Sequence, residues 1–174
     1  PTTPAFIDAE QTIPAGNTDW LGAVFKPSQI QSYNLGLSMG VPKGKLFTSL
    51  NYIGDNGIQQ YTNYNRLTLR LNSEYTVKNR LTVGENLQVA RFGEVKANVT
   101  HDAIFQHPLI PLYDNAGNFG GPTDGLGDKL NPLGILYRNR DNQSRNWRIL
   151  GNVYAQLNLA KGLNLRTSYG VDYN

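Results

Sequence analysis

The 174 residues contain no cysteine, which removes disulfide frameworks and thiolate metal sites from consideration without deciding the compartment. No apolar run approaches the roughly 18 residues of a membrane-spanning helix, so a helical membrane protein is excluded. A transmembrane barrel is not excluded, because alternating strands keep the average polar; the mean hydropathy of -0.44 suits a barrel and a soluble domain equally. Clustered positive charge is lacking too. The 16 Lys and Arg residues are scattered singly, so a net charge of +3 and a pI near 9.2 do not build a nucleic-acid-binding surface. There is no signal peptide; the chain opens on Pro1 and stops at Asn174 within an alternating run, and is expected to be an internal fragment of a longer protein.

What the chain does have is alternation, clearest in residues 147–173. Trp147, Ile149, Val153, Ala155, Leu157 and Leu159 share one face, and Arg148, Asn152, Tyr154, Gln156 and Asn158 the other, with Leu150 out of pattern. Beyond the turn Ala160-Lys161-Gly162, Leu163, Leu165, Tyr169, Val171 and Tyr173 alternate with Asn164, Arg166, Ser168, Gly170 and Asp172. A period of two with so short a connection predicts a β-hairpin. Its arms exceed the roughly 5–6 residues of a common strand and suit the about 9–11 residues of a membrane-spanning one. Their polar face carries hydrogen-bonding groups rather than a fringe of Lys and Glu.

The same period places strands near 32–41, 45–53, 65–77, 81–92, 146–159 and 163–173, expected to pair in sequence order as an antiparallel meander. Tight turns are expected at Pro42-Lys43-Gly44-Lys45, with Gly44 at the positive φ of a short reversal, and at Lys78-Asn79-Arg80. Glu85 falls on the apolar phase of its strand, which calls for a bulge or for cover over the carboxylate. Residues 1–27 are poor in alternation but hold Trp20-Leu21-Gly22-Ala23-Val24-Phe25, a short helical turn that Asn17, Thr18 or Asp19 could cap. From 93 to 146 alternation stops; the stretch is rich in Gly and Pro and holds both His residues. Short turns then lie on one side and long connections on the other, the asymmetry of an outer-membrane barrel. The fold class is therefore all-β, an antiparallel meander of about six long strands with the marks of a transmembrane β-barrel.

Motifs that suggest chemistry dissolve on inspection. Gly40-Val41-Pro42-Lys43-Gly44-Lys45 is one residue short of a P-loop and is followed by Leu46 where Ser or Thr should hold magnesium. Asp114-Asn115-Ala116-Gly117-Asn118 has Ala116 at a calcium-ligand position and reads as an Asx turn. His101 and His107 lack a partner motif for a metal. No Ser/His/Asp set or carboxylate pair stands out, so no catalytic, cofactor or metal residues are assigned and an enzyme is not expected. Tyr33, Tyr52, Tyr75, Trp147, Tyr169 and Tyr173 lie near strand ends, as interfacial girdles or as cross-strand packing.

Five strings carry a family resemblance: NTDWLGAVF (17–25), QIQSYNLGLSMG (29–40), RLNSEYTVKNRLTVGENL (70–87), PLIPLYDNAGNFGGP (108–122) and NWRILGNVYAQLNLAKGLNLRTSYGVDY (146–173). In this order they resemble SusC/RagA-type TonB-dependent outer-membrane transporters. The resemblance implies a large plugged transmembrane β-barrel of about 22 strands, of which this chain supplies six consecutive ones as a partial barrel over 28–174, with the TonB box, the plug and the first barrel strand preceding Pro1 and residues 1–27 the end of the first external loop. It implies location in the outer membrane of a Gram-negative, Bacteroidetes-like cell, surrounded by lipid and energised through TonB. It also implies a SusD-like lipoprotein lid over the external mouth and a glycan or peptide cargo. The 93–146 loop is then the candidate lid contact, through Ile104, Phe105, Leu109, Ile110, Tyr113 and Phe119, while substrate-contacting residues are not readable. The competing readings are a soluble β-rich carbohydrate-binding or adhesion module and a passive porin.

Overall fold

The computed structural model describes residues 4–123 and 125–174. Its elements are α1 (Trp20–Val24), β1 (Ile30–Val41), β2 (Gly44–Asp55), β3 (Asn63–Val77), β4 (Leu81–Val95), α2 (Thr100–Phe105), α3 (Pro132–Asn139), β5 (Gln143–Ala160) and β6 (Leu163–Tyr173). The six antiparallel strands form one open sheet in the order β1-β2-β3-β4-β5-β6, the expected meander and the form of a barrel fragment.

Register follows from the two-residue period. Tyr33 lies opposite Tyr52, Leu35 opposite Leu50 and Met39 opposite Leu46; Leu50 and Tyr52 in turn meet Leu69 and Leu67. One face of β1 to β3 is thus largely apolar, broken by Thr48 and Ser73, with the Tyr33 and Tyr52 rings stacked at 6.3 Å. The opposite phase pairs Asn34 with Asn51 and Asn51 with Thr68, which keeps amides and hydroxyls together. In β5 and β6, Val153 meets Tyr169 and Leu157 meets Leu165, while Gln156 meets Arg166; a register shift between Asn158 and Ala160 precedes the turn.

The turns differ in how they are made. At 78–80, Lys78 and Asn79 both have positive φ and Arg80 N–H donates to the Val77 carbonyl, the geometry of a type I′ hairpin turn. Gly162 takes the left-handed conformation at the β5–β6 turn. Gly44 does not: it pairs with Val41 inside the ladder, and glycine is needed because a Cβ would lie 2.7 Å from the Glu74 carbonyl oxygen. Of the two outcomes expected at Glu85, the bulge does not occur. Thr76–Thr82, Ser73–Glu85 and Arg70–Gln88 step in strict opposition along β3 and β4, so no residue is inserted. The carboxylate stays on the apolar phase and accepts the Ser73 hydroxyl at 2.6 Å.

The long non-alternating stretch is shorter and more ordered than the sequence reading has it, since β4 runs to Val95, β5 starts at Gln143, and α2 and α3 lie between them. Two compact units result. One is the sheet, comprising 30–55, 64–93 and 145–174; the other gathers the chain through Gln29 with 56–63 and 94–144. The second unit is built around Trp20, Val24, Val99, Ala103, Ile110 and Leu136, with α1 against α2 and α3. Asp19 caps α1 through the Gly22 N–H, and Trp20 Nε1 donates to the His107 carbonyl at 3.1 Å. Gly16 and Thr18 N–H groups donate to Leu109 and Pro108, while Gln59 donates to Thr100 and accepts from Val99. Three segments distant in sequence are joined by bonds that no period announces.

Candidate functional site

In the unit of connections, the six expected lid-contact residues separate by environment. Ile104 and Phe105, at the end of α2, are 58% and 65% exposed, whereas Ile110 is fully buried and belongs to the core. Leu109 is half-buried beside the bonds that tie its segment to Gly16. Tyr113 and Phe119 come together through an isolated β-bridge, their rings 5.3 Å apart. Phe119 also meets Tyr137 at 5.4 Å, and Tyr137 meets Tyr61 edge-on at 5.7 Å. This aromatic cluster, with Arg140 3.7 Å above the Tyr137 ring, escapes sequence reading because its members come from three segments. Amphipathic rings on a partly exposed surface are the composition of binding surfaces.

The turn at 114–118 is the expected Asx turn. Asp114 accepts from Ala116 N–H, Asn118 N–H and the Asn118 side chain at 2.7–3.1 Å. These bonds, the Asn118 amide first, hold the carboxyl below its ordinary pKa, so it stays ionised and the turn intact until pH falls below the usual carboxylate range. His107 accepts the Leu109 N–H, and His101 tilts against Phe105 at 4.6 Å. Among the described residues, no group of three or more His, Asp or Glu side chains gathers as a metal site.

The polar phase of the sheet carries an ordered row of charges. Lys45 pairs with Glu74 at 3.1 Å, the Tyr154 phenol donates to Glu74 at 2.6 Å, and the Arg166 guanidinium lies 4.0 Å over the Tyr154 ring. The row spans β2 to β6 because Gly84 on β4 leaves room: a Cβ there would sit 2.5 Å from the phenol. Further along, Asn86 donates to Asn152 at 2.9 Å, and Arg148 binds Asp172 through two nitrogens. A face this polar on strands this long, opposite a largely apolar one, is the division of labour in a membrane barrel wall. No described helix is long and apolar enough to cross a membrane.

No family model matches the chain. Two TonB-dependent receptors of Formosa agariphila are similar to it in sequence, one at 22% identity over 160 residues and one at 25% over 167, matching 91% and 88% of this chain. The chain spans 16% of the length of each. Among solved structures, the RagAB peptide transporter superposes on 94% of the chain with a TM-score of 0.73 and 22% identity. The RagAB peptide importer in its closed-closed state covers 95% with a TM-score of 0.69 and 22% identity; the chain covers 20% of either partner chain. The fold is that of a segment of β-barrel wall. The likeness to SusC/RagA-type TonB-dependent transporters read from the sequence holds in both comparisons, since the similar proteins are TonB-dependent receptors and RagA is a SusC-type transporter. These relatives are receptors and transporters rather than enzymes.

Proposed function

We propose that the chain is part of the barrel wall of a TonB-dependent importer in a Bacteroidetes-like outer membrane, with no catalytic role, and that a SusD-like lipoprotein closes over its external connections. The observation that carries the reading is a six-stranded sheet with one apolar and one polar phase, superposing on the RagAB peptide transporter over 94% of the chain. The apolar phase then faces lipid and the polar phase an aqueous lumen. Cargo is a peptide or a glycan, and the peptide class is favoured by that structural neighbour.

The lid contact falls to Ile104 and Phe105 on α2 and to the cluster of Tyr113, Phe119 and Tyr137, since Ile110 is committed to the core. Excising 100–140 would remove half of that core, so the discriminating variant is Ile104→Ser with Phe105→Ser, which leaves the buried residues in place. In the full-length transporter co-expressed with its lipoprotein, this variant weakens lid binding by about tenfold or more. Unchanged co-purification would take α2 out of the contact, and a parent protein that stays soluble without detergent would defeat the barrel reading and favour a soluble binding module.

A further inference from the structure

On the polar phase of β3, Arg66 and Arg70 line a crevice of about 360 Å³ together with Ser49, Asn51, Thr68 and Gln88. Its volume falls within the roughly 300–1,000 Å³ of small-molecule sites. Ser49 and Thr68 are more than nine-tenths buried at its floor. Arg66 Nε is shut off from solvent and has no hydrogen-bond partner among the described residues. A buried donor on a charged group without an acceptor is costly, and native structures seldom keep one unless a partner arrives from outside the set of atoms described. Arg70 is held differently, its Nε donating to Gln88 Oε1 at 2.8 Å, which fixes the plane of its guanidinium beside the crevice.

Among the described residues, no acid lines this space. Of the carboxylates on the same phase, Glu74 is engaged by Lys45 and Tyr154, and Asp172 by Arg148. The crevice therefore brings two guanidinium groups together with several neutral polar groups, and no carboxylate is among its described lining residues. A guanidinium fork matches the two oxygens of a carboxylate, and in a sheltered setting such charge-assisted bonds are among the stronger polar contacts.

We infer that this crevice is an anion site that takes a carboxylate on Arg66, seconded by Arg70 and the neighbouring hydroxyls and amides. The carboxylate comes either from a solute in the lumen or from an Asp or Glu of the parent transporter outside this segment. The site rests on the polar phase of the sheet being wetted or covered, as in the barrel reading above, but not on the identity of lid or cargo.

The test is a crystal structure of the full-length transporter soaked with 4-bromobenzoate, whose bromine is located by anomalous scattering, alongside the Arg66→Gln variant. Bromobenzoate with its carboxylate on Arg66, and a loss of its binding by about tenfold or more in Arg66→Gln, identifies a solute site. An Asp or Glu side chain from outside this segment on Arg66, with a lowered thermal midpoint in Arg66→Gln, identifies an internal one. Arg66 meeting only water or a backbone carbonyl overturns the inference, as does either occupant with no effect of Arg66→Gln. Thr68→Val serves as the control for mere disturbance of the strand. Detergent-dependent solubility of the same preparation reports separately on the barrel reading, so the two failures are distinguishable.

Discussion

Gly84 and Tyr154 are seventy residues apart in sequence, yet the phenol occupies the space a side chain at 84 would need and reaches Glu74 across it. Small-to-large changes in such a place displace the neighbour at a cost of about 1–3 kcal/mol. Gly84→Ala is therefore expected to lower barrel stability by that amount and to break the Tyr154–Glu74 bond, whereas in a Tyr154→Ala background the same change is nearly neutral. A double-mutant cycle on urea unfolding of the full-length protein reads the coupling directly, and additive effects would mean that the phenol does not lie over Gly84. At this scale little was legible beforehand. The alternation put Gly84 and Tyr154 on the polar phase, but a period of two carries no information about which residue crosses a neighbouring strand. Glu85 shows the same limit: its place on the apolar phase was readable, its Ser73 partner was not.

Strands were legible as elements because burial of one phase and solvation of the other impose a signal every second residue, and the β1–β2, β3–β4 and β5–β6 pairings followed from turns too short to permit anything but neighbours. The connection at 93–146 offered no such signal. Its order comes from single polar hubs, of which Asn131 is the most demanding. Nearly buried, it caps α3 through the Gly134 N–H at 3.0 Å and donates to the Leu112 and Gly120 carbonyls at 3.0 and 3.1 Å. Asn131→Ala removes the cap and leaves the Gly120 carbonyl short of a donor, while the Leu112 carbonyl keeps the Gly120 N–H, an expected loss of about 2–4 kcal/mol confined to the connections. Hydrogen exchange on the full-length protein should show amides of 108–122 and α3 losing protection while those of β5 and β6 keep theirs. Equal loss in the strands would mean that the connections and the sheet unfold as one. An Asn before Pro-Leu-Gly is a readable helix start, but the two carbonyls it serves lie in a segment with no period of its own.

For the whole molecule the decisive matter is which phase meets lipid, and the absence of native cysteine in this stretch lets single thiols answer it. Val153 sits on the apolar phase opposite Tyr169 and is well exposed; its neighbour Asn152 sits on the polar phase, accepting from Asn86. In the intact transporter, a fluorophore on Val153→Cys is expected to be quenched by lipid-borne quenchers, and Asn152→Cys to react with water-soluble thiol reagents unless another part of the protein covers it. Val153→Arg should cost roughly 2–4 kcal/mol if the residue lies near the bilayer midplane, while a charge on the polar phase is tolerated. The energetic result cannot choose alone, because a soluble sandwich with Val153 in its core would also reject arginine. Quenching can choose, since only a bilayer brings a lipid-borne quencher to Val153 while leaving Asn152, one residue away on the opposite face, to aqueous reagents. A Val153 label quenched from the water side, or by neither agent in a protein that never partitions into membranes, would show that the apolar stripe is buried against protein and that the sheet is no barrel wall.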